Sequence, residues 1–102
     1  MKTFTSIIFM FVLILTNQIS AQQWWNVGSA GFSAGAVSFT SLAINGSGTP
    51  YVAYSDGGNT NKATVMKYDG SSWVVVGTAG FSAGQANTPS LAIDGSGTPY
   101  VA

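Results

Sequence analysis

The chain has 102 residues, only 6% of them charged, with three lysines balanced by three aspartates and no histidine, arginine, glutamate or cysteine. That length holds one small domain at most. So few cations exclude a nucleic-acid groove, which must neutralise several phosphates, and the absence of cysteine excludes disulfides, thiol chemistry and a lipid anchor on an N-terminal cysteine.

Residues 1–21 have the layout of a secretory signal peptide, expected to be helical until it is removed. Lys2 gives the charged start, I-I-F-M-F-V-L-I-L at residues 7–15 the apolar centre, and I-S-A at 19–21 a small residue before a cut at Gln22. A membrane anchor is the competing reading, but the apolar run is well short of the roughly 20 residues a spanning helix needs. The expected product is residues 22–102, secreted or held at the cell surface or in the periplasm. It carries Lys62 and Lys67 against Asp56, Asp69 and Asp94, a net charge of −1. No basic amphipathic stretch points to a membrane surface. Low charge alone does not make the chain disordered, because aromatic and β-branched residues are plentiful and clustered.

From Gln22 onward the expected elements are short strands between glycine-, asparagine- and aspartate-rich turns. W-W-N-V at 24–27 is a strand, and residues 28–40 are a glycine-rich connection. S-L-A-I at 41–44 is the first strand of a unit, and N-G-S-G at 45–48 supplies the left-handed positions of a tight hairpin. P-Y-V-A-Y at 50–54 is the second strand, with Pro50 at its start because proline has no N–H for the ladder. A loop follows at 55–62, a third strand at 63–68 (A-T-V-M-K-Y), a turn at 69–72 and a fourth strand at 73–76 (W-V-V-V). A second long connection at 77–89 leads into the next unit, residues 90–102. In S-L-A-I the pleat sends Leu42 and Ile44 one way and Ala43 the other, so no face is polar and burial on both sides is expected.

These elements recur. Residues 28–53 and 77–102 match at 19 of 26 positions at an offset of 49, and Trp24 falls on Trp73 at the same offset. Five of the seven differences form one block, A-V-S-F-T at 36–40 against Q-A-N-T-P at 85–89, expected to lie wholly in the connection. A period of this size with strand-like content predicts a propeller-type array. The second copy stops at Ala102 where the first runs on into Tyr54, so the chain reads as the front end of a longer array whose remaining blades are its first partners. The strand at 24–27 corresponds to a fourth strand, which is expected to close the ring by completing the last blade.

The phrase L-A-I-D-G-S-G-T-P-Y-V-A at 91–102 resembles the repeat phrase of secreted bacterial β-propellers of the NHL class and related repeat families, and K-Y-D-G-S-S-W at 67–73 is similar to the third-to-fourth strand turn of kelch-like and Asp-box-like blades. The resemblance implies an all-β fold, a partial β-propeller. One four-stranded antiparallel blade is complete at residues 41–76, flanked by the strand at 24–27 and half a blade at 90–102. The double glycine of kelch repeats is absent, and Lys67-Tyr68-Asp69 replaces the start of a strict Asp box, so the resemblance carries over no catalytic residue.

The residues themselves offer little chemistry. Residues 22–102 lack the usual general bases and soft metal ligands. Asp56, Asp69 and Asp94 are each followed by glycine, which is a turn signal, and Asn45 stands where the second copy has Asp94. Asp56, Asn59 and Asn61 offer oxygens at alternating positions of one loop, but one carboxylate and two amides fall short of the 6–8 ligands a calcium ion takes; a solvated loop is the competing expectation. Phe32 and Phe81, and Trp24 and Trp73, recur as core packing or as aromatic platforms for sugar. No catalytic, cofactor or metal site is expected, and ligand-binding residues are unassigned. The functional expectation is a secreted, non-catalytic scaffold whose loops bind a polysaccharide or protein. The alternatives are a small lectin-like subunit that oligomerises into a ring and the N-terminal part of a secreted propeller enzyme. In a meander, the 55–62 loop and the 28–40 and 77–89 connections emerge on one side and the tight turns on the other.

Overall fold

The computed structural model describes residues 22–102. The expected leader helix lies outside that range. Six strands form two sheets: β1 (Val37–Ile44), β2 (Pro50–Asp56), β3 (Lys62–Tyr68) and β4 (Trp73–Val75) make a four-stranded antiparallel meander, and β5 (Leu91–Ile93) pairs with β6 (Pro99–Val101). A single 3-10 turn, Gly57–Asn59, sits between β2 and β3.

The hairpin turns are set by one side chain each. Asn45 Oδ1 accepts from the amides of Ser47 and Thr49, and Asp94 Oδ1 accepts from Ser96 and Thr98, at 2.9–3.0 Å in every case. The Gly48 and Gly97 amides close the two turns on Asn45 and Asp94 carbonyls, with φ of 84° and 83°. That left-handed geometry costs glycine nothing and other L-residues about 1–2 kcal/mol. Asn45 and Asp94 therefore do one job, and charge is incidental to it. Asp69 repeats the device, accepting from Ser71 and Ser72.

The meander has two faces. Register places Ser41, Ala43, Tyr51, Ala53, Val65 and Val74 on one, and Leu42, Ile44, Val52, Tyr54, Asp56, Thr64, Met66 and Trp73 on the other. The first face is the core. Leu91 of β5 packs into a cluster with Tyr51, Ala53 and Val65, bordered by Ala43, Val76, Ile93 and Val101. Ser41 Oγ also accepts from the Leu91 amide at 3.1 Å. A two-stranded hairpin is marginal alone. Here β5–β6 is held because its Leu91 is 8% exposed against the neighbouring sheet, a burial contributing roughly 1.5–3 kcal/mol.

Three expectations need correction. β1 begins at Val37 rather than Ser41, so the 36–40 block is mostly strand: Val37 and Ser38 pair with Asp56 and Ser55 ahead of a bulge before Ser41. In the second copy Pro89 replaces Thr40, removing a ladder N–H, and β5 begins only at Leu91. Burial of the first strand on both faces does not hold: Leu42 and Ile44 are 64% and 61% exposed, since no described residue packs a sheet on that side. Residues 24–27 form no strand, and Trp24 is fully exposed. A fourth strand needs the third strand of its own unit beside it, and no described residue supplies one.

Candidate functional site

The strongest candidate is the end of the meander where its long loops meet. The β2–β3 loop lies between the two connections. On one side the Gly57 amide donates to the Ala36 carbonyl at 2.8 Å. A Cβ on Gly35 would lie 2.8 Å from the Gly58 nitrogen, so only glycine fits. On the other side the Ala86 amide donates to the Asn61 carbonyl at 2.8 Å, and a Cβ on Gly80 would lie 2.8 Å from the Asn59 Cβ. The 77–89 connection first extends the sheet edge, with Val76 N–H donating to Val65 and Phe81 N–H to Ala63. The Ser82 hydroxyl then accepts from the Ala63 amide and donates to the Gly84 carbonyl, as Ser33 does to Gly35. The meander expectation holds for the β2–β3 loop and the 77–89 connection, which share one end with Gly35 and Ala36, opposite the Asn45 and Asp69 turns. The start of the first connection instead lies beside the Asp69 turn, where a Cβ on Gly28 would be 2.9 Å from the Tyr68 ring.

Asp56 holds this end together. It is 1% exposed at the close of β2. Oδ2 accepts from the Thr64 hydroxyl at 2.7 Å and the Asn59 amide at 2.8 Å, while Oδ1 accepts from the Gly58 N–H at 3.0 Å. Thr64 Oγ1 in turn accepts from the Gly80 amide at 2.8 Å, tying the carboxylate to the second connection. Burial pushes the Asp56 carboxyl up, but the bonds from Thr64, Asn59 and Gly58 outweigh it and hold the group below the usual carboxylate range. Burial, with the Asp56 charge beside it, raises the neighbouring Tyr54 phenol; its hydroxyl donates to Met66 Sδ at 3.2 Å.

The loop carrying Asp56, Asn59 and Asn61 is largely solvent-exposed, at Gly57, Gly58, Thr60 and Asn61, but Asp56 itself is buried. Asp56 and Asn59 are brought together, but as acceptor and donor. Asn61 joins through its backbone, donating to the Asp56 carbonyl at 2.8 Å, and the residue is exposed. Among the described residues no cluster of three metal-ligating His, Cys, Asp or Glu side chains exists. Sequence reasoning missed Thr64, the second buried polar residue of the network. Its signal is the alternation of β3, which puts Thr64 on the Asp56 face directly opposite Tyr54.

Of the recurring aromatics, Phe32 and Trp73 pack on each other, whereas Phe81 is 49% exposed and Trp24 fully so. Phe32 stacks on Trp73 with ring centroids 4.3 Å apart and planes 11° apart. Tyr68 leans on the same indole at 5.8 Å. The Trp73 Nε1–H donates to the Val27 carbonyl at 2.6 Å. The first connection is thereby pinned across the Leu42 face of the meander, leaving a groove of about 190 Å³ lined by Phe32, Val37, Val52 and Tyr54.

Besides Lys62, half-buried at the start of β3, the loop end presents hydrogen-bonding side chains to solvent: Thr60, Asn61, Gln85, Asn87 and Thr88 are all exposed. Thr60, Asn61 and Thr88 are held at φ of 55°, 60° and 55°. Non-glycine residues adopt that region rarely, and positions that do so cluster at functional surfaces. Compared with protein-family models, with curated proteins and with solved structures, the chain gives no match in any of the three.

Proposed function

We propose that the chain is a secreted, non-catalytic scaffold of the β-propeller type, whose long-loop end binds a neutral polysaccharide or a protein partner. The propeller reading is supported by how the second copy sits. Leu91 and Val101 of β5–β6 lie face-on against the meander, as successive blades do, rather than extending it edge to edge. The further blades of a longer chain would be its first partners.

One observation carries the binding reading. The β2–β3 loop meets the 77–89 connection and Gly35–Ala36 at one end, where Asp56, the only buried carboxylate among the described residues, holds the Gly58 amide and, through Thr64, the Gly80 amide. Loops fixed on a rigid scaffold are where binding residues concentrate. The exposed groups there are amides and hydroxyls, which suit a polyhydroxylated ligand. Asp69 and Asp94 each cap a tight turn, Asp69 by accepting from backbone amides and Asp94 by accepting from backbone amides and the Tyr100 hydroxyl.

The test is a binding screen of the protein against immobilised neutral polysaccharides: β-glucan, xylan, galactan and chitin. Asn61→Gly removes the amide while tolerating the left-handed backbone. With Gln85→Ala and Asn87→Ala it should weaken binding by roughly tenfold or more, ~1.4 kcal/mol. Ser47→Ala and Ser71→Ala in the opposite turns should leave affinity unchanged. The reverse pattern would place binding at the other end. Exchanging the whole 36–40 block for 85–89 is unsuitable as a probe, because Val37 and Ser38 belong to the ladder.

A further inference from the structure

Asn45-Gly46 is the one asparagine–glycine pair in the chain, and it occupies a turn that the second unit builds with Asp94-Gly95. The two turns match in their capping bonds. Asn45 Oδ1 accepts from the Ser47 and Thr49 amides at 3.0 and 2.9 Å, and Asp94 Oδ1 accepts from Ser96 and Thr98 at 2.9 Å. Within the first turn the amides of Asn45, Ser47, Gly48 and Thr49 all donate to turn oxygens, and the Gly46 N–H is the one that does not. Gly46 is exposed, and a Cβ built on it would meet nothing within 4 Å, so its nitrogen is unshielded.

We propose that Asn45 is a self-modifying site, converted by water to aspartate with loss of ammonia. The Gly46 nitrogen attacks Asn45 Cγ, forming a C–N bond that closes a five-membered succinimide. The Cγ–Nδ2 bond breaks, and Nδ2 departs as ammonia carrying the former Gly46 amide proton. Water then adds at Cγ and breaks the new bond, which returns a proton to the Gly46 nitrogen and leaves a carboxyl group. No oxidant, reductant or cofactor enters the balance. Three features of the turn carry this chemistry. The bond from the Ser47 amide to Oδ1 closes a ring that contains both Cγ and the Gly46 nitrogen, so the reacting atoms are kept near each other. The charge that develops during the attack falls on Oδ1, which already has two backbone donors aimed at it, the arrangement of an oxyanion hole. The product is a residue this turn accepts, since Asp94 stands at the same place in the second unit. Hydrolysis at the other succinimide carbonyl would give an isoaspartyl linkage, rerouting the main chain through Cβ and breaking the bond from the Gly48 amide to the Asn45 carbonyl. The turn therefore selects aspartate. The other described asparagines lack these features. Asn26, Asn59, Asn61 and Asn87 precede Val27, Thr60, Lys62 and Thr88, whose side chains hinder attack, and the Asn59 amide is also held by Asp56. The site lies at the tight-turn end and is independent of what the loop end binds.

The experiment holds freshly isolated protein, expressed from the complete chain, in neutral buffer and follows each asparagine by peptide mapping and mass spectrometry. Position 45 should gain close to one mass unit, in step with ammonia release, at least an order of magnitude faster than Asn59, Asn61 or Asn87. Conversion should be at least as fast in the folded chain as in denaturing urea. Aspartate should exceed isoaspartate in the folded chain, read with isoaspartyl methyltransferase, and the order should reverse in urea, where no turn selects the product. Gly46→Ala, which nothing in the structure obstructs, should keep the parent's circular dichroism and slow conversion by an order of magnitude. Asn45→Asp should melt with the parent and elute on ion exchange with the aged parent. Conversion at Asn45 no faster than at the other asparagines, slower conversion in the folded chain than in urea, isoaspartate as the main folded product, an unslowed Gly46→Ala, or a destabilised Asn45→Asp would each overturn the proposal.

Discussion

Leu42 and Leu91 are one position of one repeat, in identical S-L-A-I strands, and they live in different solvents. Leu91 is buried against Tyr51, Ala53 and Val65, whereas Leu42 faces water. Strand propensity, pleat and turn chemistry are the same for both. What differs is only whether a sheet lies on that side. The comparison separates two contributions that usually arrive together: a local term that makes the hairpin and a stacking term that makes the core. In repeat architectures the second term is the interface between neighbours.

The largest expected effect tests that separation. Leu91→Ala should lose about 3 kcal/mol of unfolding free energy, the cost of a buried leucine plus its cavity. Leu42→Ala should lose less than about 0.5 kcal/mol, as an exposed substitution does. Both are read from denaturant midpoints. Equal losses would mean that the hairpin does not stack on the meander in solution.

The second comparison is among the three Asp-Gly pairs, which look alike in sequence. Asp69 and Asp94 are exposed turn caps; Asp56 is buried with three donors. Asp56→Asn must turn an amide N–H₂ toward donors, and should cost about 2 kcal/mol, the loss of charge-assisted bonds in a buried site. Asp94→Asn should shift the melting temperature far less, because Asn45 makes the same two backbone bonds and only the exposed bond from the Tyr100 hydroxyl is altered. The pH dependence follows in sign. All three carboxyls are held below the ordinary range: Asp56 by its hydrogen bonds against burial, Asp69 chiefly by the Ser72 amide and Asp94 chiefly by the Thr98 amide. A depressed folded pKa gives stability that is full above the unfolded value of roughly 3.9 and is lost as pH falls through the folded value. Acid titration of the melting temperature should therefore show a decline beginning near pH 4, shallower in Asp56→Asn than in the parent.

Much of the meander was legible from residues alone. Asn45, Asp69 and Asp94 marked the turns, Pro50 a strand start, and the offset between Trp24 and Trp73 the unit. Local chemistry decides such features within a few residues, which is why they can be read directly. Three things were not legible. The early start of β1 depends on a bulge at Phe39 and on β2 running on to Asp56, both outcomes of pairing across the chain. The exposure of Leu42 depends on a missing neighbour, and a repeat pattern describes every unit as though both neighbours were present. Asp56 looked like another turn aspartate because its glycines are typical of one. Only the register that puts Thr64 on its face distinguishes it. At the loop end, the convergence of segments followed from strand alternation, whereas the network that holds them did not.

The smallest expected effect concerns the block that differs most. Phe39 and Thr88 are counterparts with unrelated side chains, yet both sit left-handed, at φ of 53° and 55°. Neither residue favours that region, and Thr, branched at Cβ, favours it least. The backbone there is therefore imposed by the repeat: the chain must turn just ahead of the shared S-L-A-I segment whatever side chain it carries, at the β1 bulge in one copy and before β5 in the other. An L-residue in that region costs about 1–2 kcal/mol, and asparagine tolerates it better than most. Thr88→Asn relieves the backbone without the unfolded-state entropy that glycine adds, and should raise stability by about 0.5 kcal/mol. Phe39→Asn relieves the same strain but gives up the partial burial of an aromatic ring beside the β1 bulge, so its net change should be near zero. A melting curve for each variant and for the pair decides the matter. If Thr88→Asn lowers the melting temperature, the left-handed turn is not held at 88, and the two copies enter their first strands by different routes.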